Sequence, residues 1–464
     1  MCVPITISLL TDGADLKAFS IGAAITLVAG LSATFLVRNT RTEMAKREGF
    51  LLTSLVWIVF SAFGMIPFIL SDTQPLRVTD AFFEAMAGFT TTGSTIVSSP
   101  WVTSQAAVIW RSVMQWLGGM GIILFTLAVL PMLNSSGGMQ MFNAEVTGIT
   151  HDKIRPRISQ TAMGLWGIYI TLTAALFIML IIGPMPPFQA FCHALTTIST
   201  GGYSSVDGSV GYWDNYYTDL VLIVFMFLGG ANFSLIYKAS IGQSKSIWRN
   251  DVFRAYVYLI LGAYLLFVIA ILACGNYTGI ASVTIDPLFQ VISLITSTGF
   301  VARGSDMWGP FVLSLSFILI FFGGCAGSTS GGAKLDRLLM MLKHSRNELH
   351  KTLHPNAVMT VRANGRTVPS HIVAKVIAFL CIFVMVTILG GMILAACGVP
   401  VVDAFFSSFS CITNVGLPSS YTGYGGDFAT IPDLGKWTLA LLMLIGRLEL
   451  FTVLILFTPG FWRK

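Results

Sequence analysis

Four short glycine-containing turns are the residues in this chain whose types and spacing could do chemistry. They are Thr90, Thr91, Thr92 and Gly93; Ile198, Ser199, Thr200 and Gly201; Thr296, Ser297, Thr298 and Gly299; and Thr413, Asn414, Val415 and Gly416. None carries an ionisable side chain. Such a site can replace an ion's water shell only with backbone carbonyls, and glycine permits the backbone angles that aim them inward. That chemistry fits a dehydrated monovalent cation, whereas a divalent ion calls for carboxylates, as calcium sites do.

Each turn closes a semi-apolar stretch of about a dozen residues, beginning at Asp80, Phe188, Asp286 and Asp403. These stretches are too short to cross a bilayer and too apolar for a solvated loop, so each reads as a re-entrant helix. When the turns are aligned on Gly93, Gly201, Gly299 and Gly416, a phenylalanine stands ten residues before every glycine: Phe83, Phe191, Phe289 and Phe406. The glycines are 108, 98 and 117 residues apart, an internal repeat that implies four similar units around one axis. A re-entrant helix points roughly half a negative charge at its C-terminal end toward the membrane centre, and four such ends attract a cation. Asp80, Asp286 and Asp403 are expected to cap helix starts and enrich the mouth in negative charge, with Phe188 at the corresponding place in the second unit.

The elements that hold these turns must lie in a membrane. Of 464 residues, 55% are hydrophobic and 10% charged, with a mean hydropathy of +0.78, against about 25% charged in a soluble domain. Runs 19–37, 50–70, 107–131, 159–182, 217–237, 254–274, 310–322, 372–397 and 437–458 read as spans, the seventh abnormally short. The expected fold is an all-α integral membrane protein with four pseudo-symmetric helix–pore-helix–helix repeats around a central pore. A partial N-terminal hairpin, 1–48, precedes units at 49–134, 135–238, 239–340 and 341–464. Alternate connections, at 38–47, 153–157, 238–254, 334–375 and 463–464, hold 21 of the 27 Lys and Arg residues, which places them and the C-terminus in the cytoplasm. The formal charge of +6 is therefore a topology signal and not a nucleic-acid patch. Seven cysteines without CxxC spacing support neither disulfides nor a zinc site, and Met1–Leu10 lacks the marks of a signal peptide.

The second span of every unit is also interrupted by glycine, at Gly118 and Gly119, Gly229 and Gly230, Gly323 and Gly324, and Gly446, which suggests a shared waist. The segment Gly323, Gly324, Cys325, Ala326, Gly327, Ser328, Thr329, Ser330, Gly331, Gly332 breaks the seventh span at mid-depth, where irregular backbone must line a cavity or be buried in protein. A nucleotide loop would need lysine directly after Gly332, and the residue is Ala333. We read the segment as a flexible constriction. Arg447 and Glu449 lie inside the last span, where charges mark an ion path or a pair; two residues apart, they point in different directions and do not pair with each other. His151, His344, His350, His354 and His371 fall in cytoplasmic connections and only His193 in a membrane segment, so paired haem ligands are absent.

On TTTGST, TTISTGGYS, TSTGF and TNVGL in order, with GGCAGSTSGGAK at 323–334, the chain resembles the Trk/Ktr/HKT superfamily of potassium transporters, in its TrkH branch. The resemblance covers Thr11 to Lys464. It implies potassium bound in the four turns, a homodimer in a bacterial inner membrane, and a cytoplasmic ring of nucleotide-binding RCK-type (TrkA-like) subunits. It also implies a barrier role for Arg447, below the filter near the glycine-rich loop. Family members begin with a two-helix hairpin, of which only the second helix is complete here, Met1–Leu10 reading as the tail of the first. The expected function is potassium uptake gated by the 323–332 loop and Arg447. A sodium- or proton-coupled symporter would need a titratable relay that the turns do not offer. A membrane enzyme or redox subunit would need clustered His, Cys or carboxylates at one depth, and none is seen.

Overall fold

The computed structural model describes residues 1–11, 13–38, 46–132, 158–243, 245–275, 279–301, 303, 308–417 and 428–462. His151, Arg41, Lys153, Arg155, Arg157, Arg463 and Lys464 lie outside the described residues. The short helix Cys2–Leu10 packs on the second-span helix of the first unit, and Leu16–Val37 follows it. Leu16–Val37 buries only Ala18, Phe19 and Gly22; the rest of its apolar surface, Leu27, Leu31 and Phe35 included, is exposed where lipid would cover it.

Each unit then runs first helix, re-entrant helix, turn, second helix. The first helices include Arg47–Ile69, Ala162–Ile182, Asp251–Cys274 and Ser370–Ala396, each long and apolar enough to cross a bilayer. The re-entrant helices are Val78–Phe89, Pro187–Ile198, Ile280–Ile295 and Val401–Ile412. Their inner turns are fully buried, so they stand inside a sheath of longer helices.

The second helices depart from straight spans. Gln105–Met132 continues through Gly118 and Gly119 unbroken, so the glycines of the first unit do not interrupt it. By contrast, Tyr216–Gly230 and Phe233–Ser240 bend by 106°, and Asp433–Arg447 and the segment beginning at Phe451 by 114°. Runs 217–237 and 437–458 are thus interrupted next to Gly230 and Gly446, as the sequence reading expects. In the third unit Gly309–Phe322 ends at Gly323, and the chain crosses to Leu335–Leu353, an amphipathic helix, through irregular backbone. A two-residue hairpin pairs Arg362 with Thr367 and Ala363 with Arg366. Its Asn364 bonds Asp251 at the start of the neighbouring span, with N–H to Oδ2 at 3.1 Å and Oδ1 to the Asp251 N–H at 2.7 Å.

Candidate functional site: four turns and the loop beneath them

All four re-entrant helices end in the same hydrogen-bond pattern. In the first, Thr91 N–H bonds Gly88 O at 3.0 Å and Thr92 N–H bonds Ala87 O at 2.9 Å. The second repeats it with Thr200 to Thr197 and Gly201 to Thr196, the third with Ser297 to Leu294 and Thr298 to Ser293, and the fourth with Asn414 to Cys411 and Val415 to Ser410. This is the Schellman arrangement, whose hinge residue sits in the left-handed region. Thr91, Thr200, Ser297 and Asn414 have φ of 53°, 52°, 53° and 52°.

The pattern corrects one register. Two residues after each hinge comes a glycine with φ of 80°, 76°, 80° and 74°: Gly93, Gly202, Gly299 and Gly416. The second turn is therefore Ser199, Thr200, Gly201 and Gly202, one residue later than the alignment on Gly201, and Ile198 closes the helix as Phe89, Ile295 and Ile412 do. Ten residues before Gly202 stands buried Cys192, not Phe191, and thirteen before it Gln189, not Phe188. Sequence alone offered two adjacent glycines, and the phenylalanine match selected the wrong one.

The four glycines interlock. A Cβ on Gly93 would collide with Gly201 O, one on Gly202 with Thr298 O, one on Gly299 with Val415 O and one on Gly416 with Thr92 O, each the carbonyl of the next unit. The turns thus close a ring in which every unit's backbone occupies its neighbour's missing side chain. Asn414 adds a side-chain link, its Nδ2 donating to Thr92 Oγ1 at 2.8 Å. Behind the ring lies a buried pair, Arg111 Nε to Glu84 Oε1 at 2.7 Å, with the guanidinium 4.2 Å above the Tyr203 ring. Tyr203 in turn donates its hydroxyl to Glu84 O and Ser94 O. Sequence reasoning missed this support, although an ionisable residue in each of two membrane segments was a visible signal.

The acidic residues do not stand at the N-cap positions: Asp80 and Asp403 are third residues of their helices, and Asp286 lies well inside its own. Asp80 accepts from Lys436 Nζ at 2.6 Å. Asp286 lies 3.5 Å from Arg303, which also grips Asp214 and Asp219. A cation thereby offsets the negative charge of Asp80 and of Asp286. His193 is packed between Trp213 and Phe300, its Nδ1 on Gln189 O at 2.9 Å.

The loop 323–332 is seated against three of the turns. Thr329 Oγ1 donates to Ile198 O at 3.0 Å and receives the Thr200 hydroxyl. Ser330 Oγ meets Ser297 Oγ at 2.9 Å, and Gly331 N–H bonds the same Ser297 oxygen at 2.5 Å. Gly332 N–H bonds Thr413 O at 2.8 Å. Cys325 N–H takes Gly230 O, and Asn232 Nδ2 donates to Ala326 O at 2.7 Å, so the break in the second unit holds the loop's far side. Gly323, Gly324, Gly327, Ser328 and Gly331 are all packed in this seat; a Cβ on Gly324 would meet Gly230 O and Ser330. Arg447, fully buried, reaches in from the fourth unit: Nη1 donates to Thr329 O at 2.7 Å and Nη2 to Gly118 O at 3.2 Å. It does not pair with Glu449, whose partner is Arg337.

Loop backbone and the Arg447 guanidinium thus lie directly against the turns and the second helix of the first unit. Helical spans, four pseudo-equivalent re-entrant turns and a mid-membrane break define a multi-pass α-helical membrane transporter. The chain belongs to the TrkH family of cation transport proteins, whose model matches residues 15–464. It is 36% identical over 469 residues to the Trk system potassium uptake protein TrkH of Vibrio parahaemolyticus, covering all of this chain and 96% of that protein. It is 36% identical to TrkH and 30% to TrkG of Escherichia coli K12, again along its whole length. The crystal structure of the potassium transporter TrkH from Vibrio parahaemolyticus superposes with a TM-score of 0.90 at 35% identity, covering 100% of this chain and 96% of that one.

Proposed function

We propose that the chain takes up potassium across a bacterial inner membrane, through a filter built by the four turns and closed by the 323–332 loop with Arg447. The ring of interlocked turns carries this reading. The N–H groups of each hinge and of the residue after it are spent on the helix ends, and the carbonyls of four units abut one another in a site free of ionisable side chains. The dehydrated potassium ion is the cargo, held by Thr90, Thr91, Thr92 and Gly93 and by their counterparts in the other three turns, with Ser199 to Gly202 serving in the second. The relatives, all Trk system potassium uptake proteins, point the same way.

The gate works by charge and by volume. A guanidinium opposes a cation by about 4 kcal/mol at 4 Å for an effective dielectric near 20. Thr329 O and Gly118 O hold that guanidinium in place. Opening then swings the loop away from Ser297, Thr200 and Thr413, a motion its glycines permit.

The driver is a cytoplasmic nucleotide-binding ring of the RCK type, acting on a homodimer whose C-termini face the cytoplasm. Leu335–Leu353 presents Leu342, Leu349 and Leu353, exposed by 57%, 72% and 77% and spaced along one helix face, with Arg346 between them. Flux into proteoliposomes, with potassium, rubidium, sodium or a pH gradient as the single variable, tests the reading. Potassium and rubidium should enter down their own gradients and sodium far more slowly. Uptake that requires an imposed sodium or proton gradient would replace it with the symporter.

A further inference from the structure

The four turns share one backbone, but what stands behind them differs. Gly118, Gly229 and Gly446 of the second helices lie against the carbonyls that end the re-entrant helices, Phe89 O, Ile198 O and Ile412 O, which puts the three helices in register. Three residues before each glycine stand Gln115, Met226 and Met443, all fully buried. Only the first unit places a polar side chain there. Its Nε2 donates to Gly201 O at 2.7 Å, and its Oε1 accepts from Tyr203 N–H at 3.2 Å.

The residue that Gln115 meets is exceptional as well. Where the other turns have Thr92, Thr298 and Val415, the second has Gly201. A Cβ on Gly201 would fall on the Gln115 carboxamide, 2.5 Å from Oε1 and 2.7 Å from Nε2. The amide therefore fills the volume of the side chain that this turn lacks. It also lies 3.5 Å from where a Cβ on Gly93 would stand.

We propose that Gln115 is a specificity-determining positioning residue, which holds the Gly201 carbonyl in the ring by a hydrogen bond reaching across from the first unit. The inference rests on the reading of the four turns as an ion filter. Gly201 and Gly202 are adjacent glycines, the least restrained pair in the ring, and an unbraced carbonyl between them can rotate away from its place. Ion choice depends on the number and orientation of the carbonyls, so the loosest turn sets the tolerance of all four. Gln115 occupies one lone pair of Gly201 O and leaves the second. A buried amide is costly unless both ends are bonded, and here both are.

The test compares wild type, Gln115→Met and Gln115→Glu in proteoliposomes for potassium, rubidium and sodium flux, with size-exclusion profiles reporting assembly. Gln115→Met installs the residue found at the matched positions and removes the donor, and Gln115→Glu keeps the size and, when ionised, replaces the donor with acceptor-only oxygens. Each should lower the potassium-to-sodium flux ratio by about tenfold, the scale of one buried hydrogen bond. Total flux should fall less than the ratio does. A ratio at the wild-type value in assembled protein, even with all fluxes reduced together, would make Gln115 a packing residue and overturn the inference alone. A wild type that moves potassium no faster than empty liposomes would overturn the filter reading and this inference with it.

Discussion

Arg337 Nη2 donates to Glu449 Oε2 at 2.5 Å, tying the first turn of Leu335–Leu353 to the break in the last span. The Arg337 guanidinium also lies 4.1 Å over the Phe379 ring. Glu449 has φ of 57° and stands two residues after Arg447. Its neighbours tie the loop from the same side: Lys334 Nζ bonds Ser330 O, and Asp336 Oδ2 accepts from Ala326 N–H at 2.6 Å. One ion pair thus joins the amphipathic helix to the chain two residues beyond Arg447. Removing one partner of a largely buried pair costs on the order of 3 kcal/mol. Glu449→Gln should therefore favour the open loop and raise basal potassium flux, and exchanging the two residues should restore part of the closure. Basal flux unchanged in Glu449→Gln would separate this pair from gating.

Gly93→Ser should lower potassium preference over sodium. The new Cβ would collide with Gly201 O, at a φ of 80° that L side chains rarely adopt. The ring must widen or the turn must shift. Flux ratios for the two ions measure this directly, and a ratio equal to wild type would remove Gly93 from the filter.

Arg447→Ala should raise basal flux at constant ion preference, because the guanidinium lies beneath the ring and touches Thr329 O and Gly118 O instead of the ring carbonyls. The same holds for a shortened 323–332 loop. Closed-level flux in both variants, with correct insertion, would reduce the loop to a kink and Arg447 to a structural residue.

Ring docking is tested best on the exposed leucines. Reversal of Lys343, Arg346 and Lys351 would also break internal contacts, because Lys343 Nζ bonds Asp251 Oδ2 at 3.2 Å and Arg362 O at 2.9 Å, and Lys351 bonds Glu348 at 2.7 Å. Leu349→Asp with Leu353→Asp leaves those contacts in place. Co-purification with an RCK-type ring should fall several-fold while unregulated flux persists; full-strength co-purification would place the ring elsewhere.

Asp15 anchors the N-terminal hairpin. Its carboxylate accepts from Ser71 Oγ at 2.9 Å, Asp72 N–H at 2.7 Å, Thr73 Oγ1 at 2.7 Å and Ser104 Oγ. Burial raises its pKa, but these four donors together outweigh that and hold it below the usual carboxylate value. A lowered folded-state pKa means that the stabilisation is present above the unfolded value of about 3.9 and is lost as pH falls through the folded value. Protection factors for amide exchange in helices Cys2–Leu10 and Leu16–Val37 should therefore fall in acid, and Asp15→Asn should bring the same loss at pH 7. Protection factors that are flat with pH and equal in Asp15→Asn would assign the anchoring to apolar packing.

The apolar runs, the four turns and the glycine-rich break were legible in the sequence because each is a local property. Bilayer thickness sets span length, and hydrophobicity marks it without reference to neighbours. The repeat was legible too, since four copies of one hydrogen-bonding pattern demand similar residues at similar spacing. The register of the second copy was not, because two adjacent glycines satisfy the same local pattern.

That register, the partners of the charges and the bends were decided in three dimensions. Local rules put glycine at the hinge of a Schellman turn, yet this chain has Thr91, Thr200, Ser297 and Asn414 there and keeps glycine two residues later. The neighbour's carbonyl requires it, at contacts between residues about a hundred positions apart in three cases and more than three hundred where Gly416 meets Thr92 O. Likewise Glu449 pairs with Arg337 from another unit, and Gln115 supplies the side chain that Gly201 lacks. Sequence by itself determined that four glycine turns would meet at mid-membrane. Only the tertiary structure decided which atoms fill each missing Cβ, because that depends on how closely the units pack around their common axis.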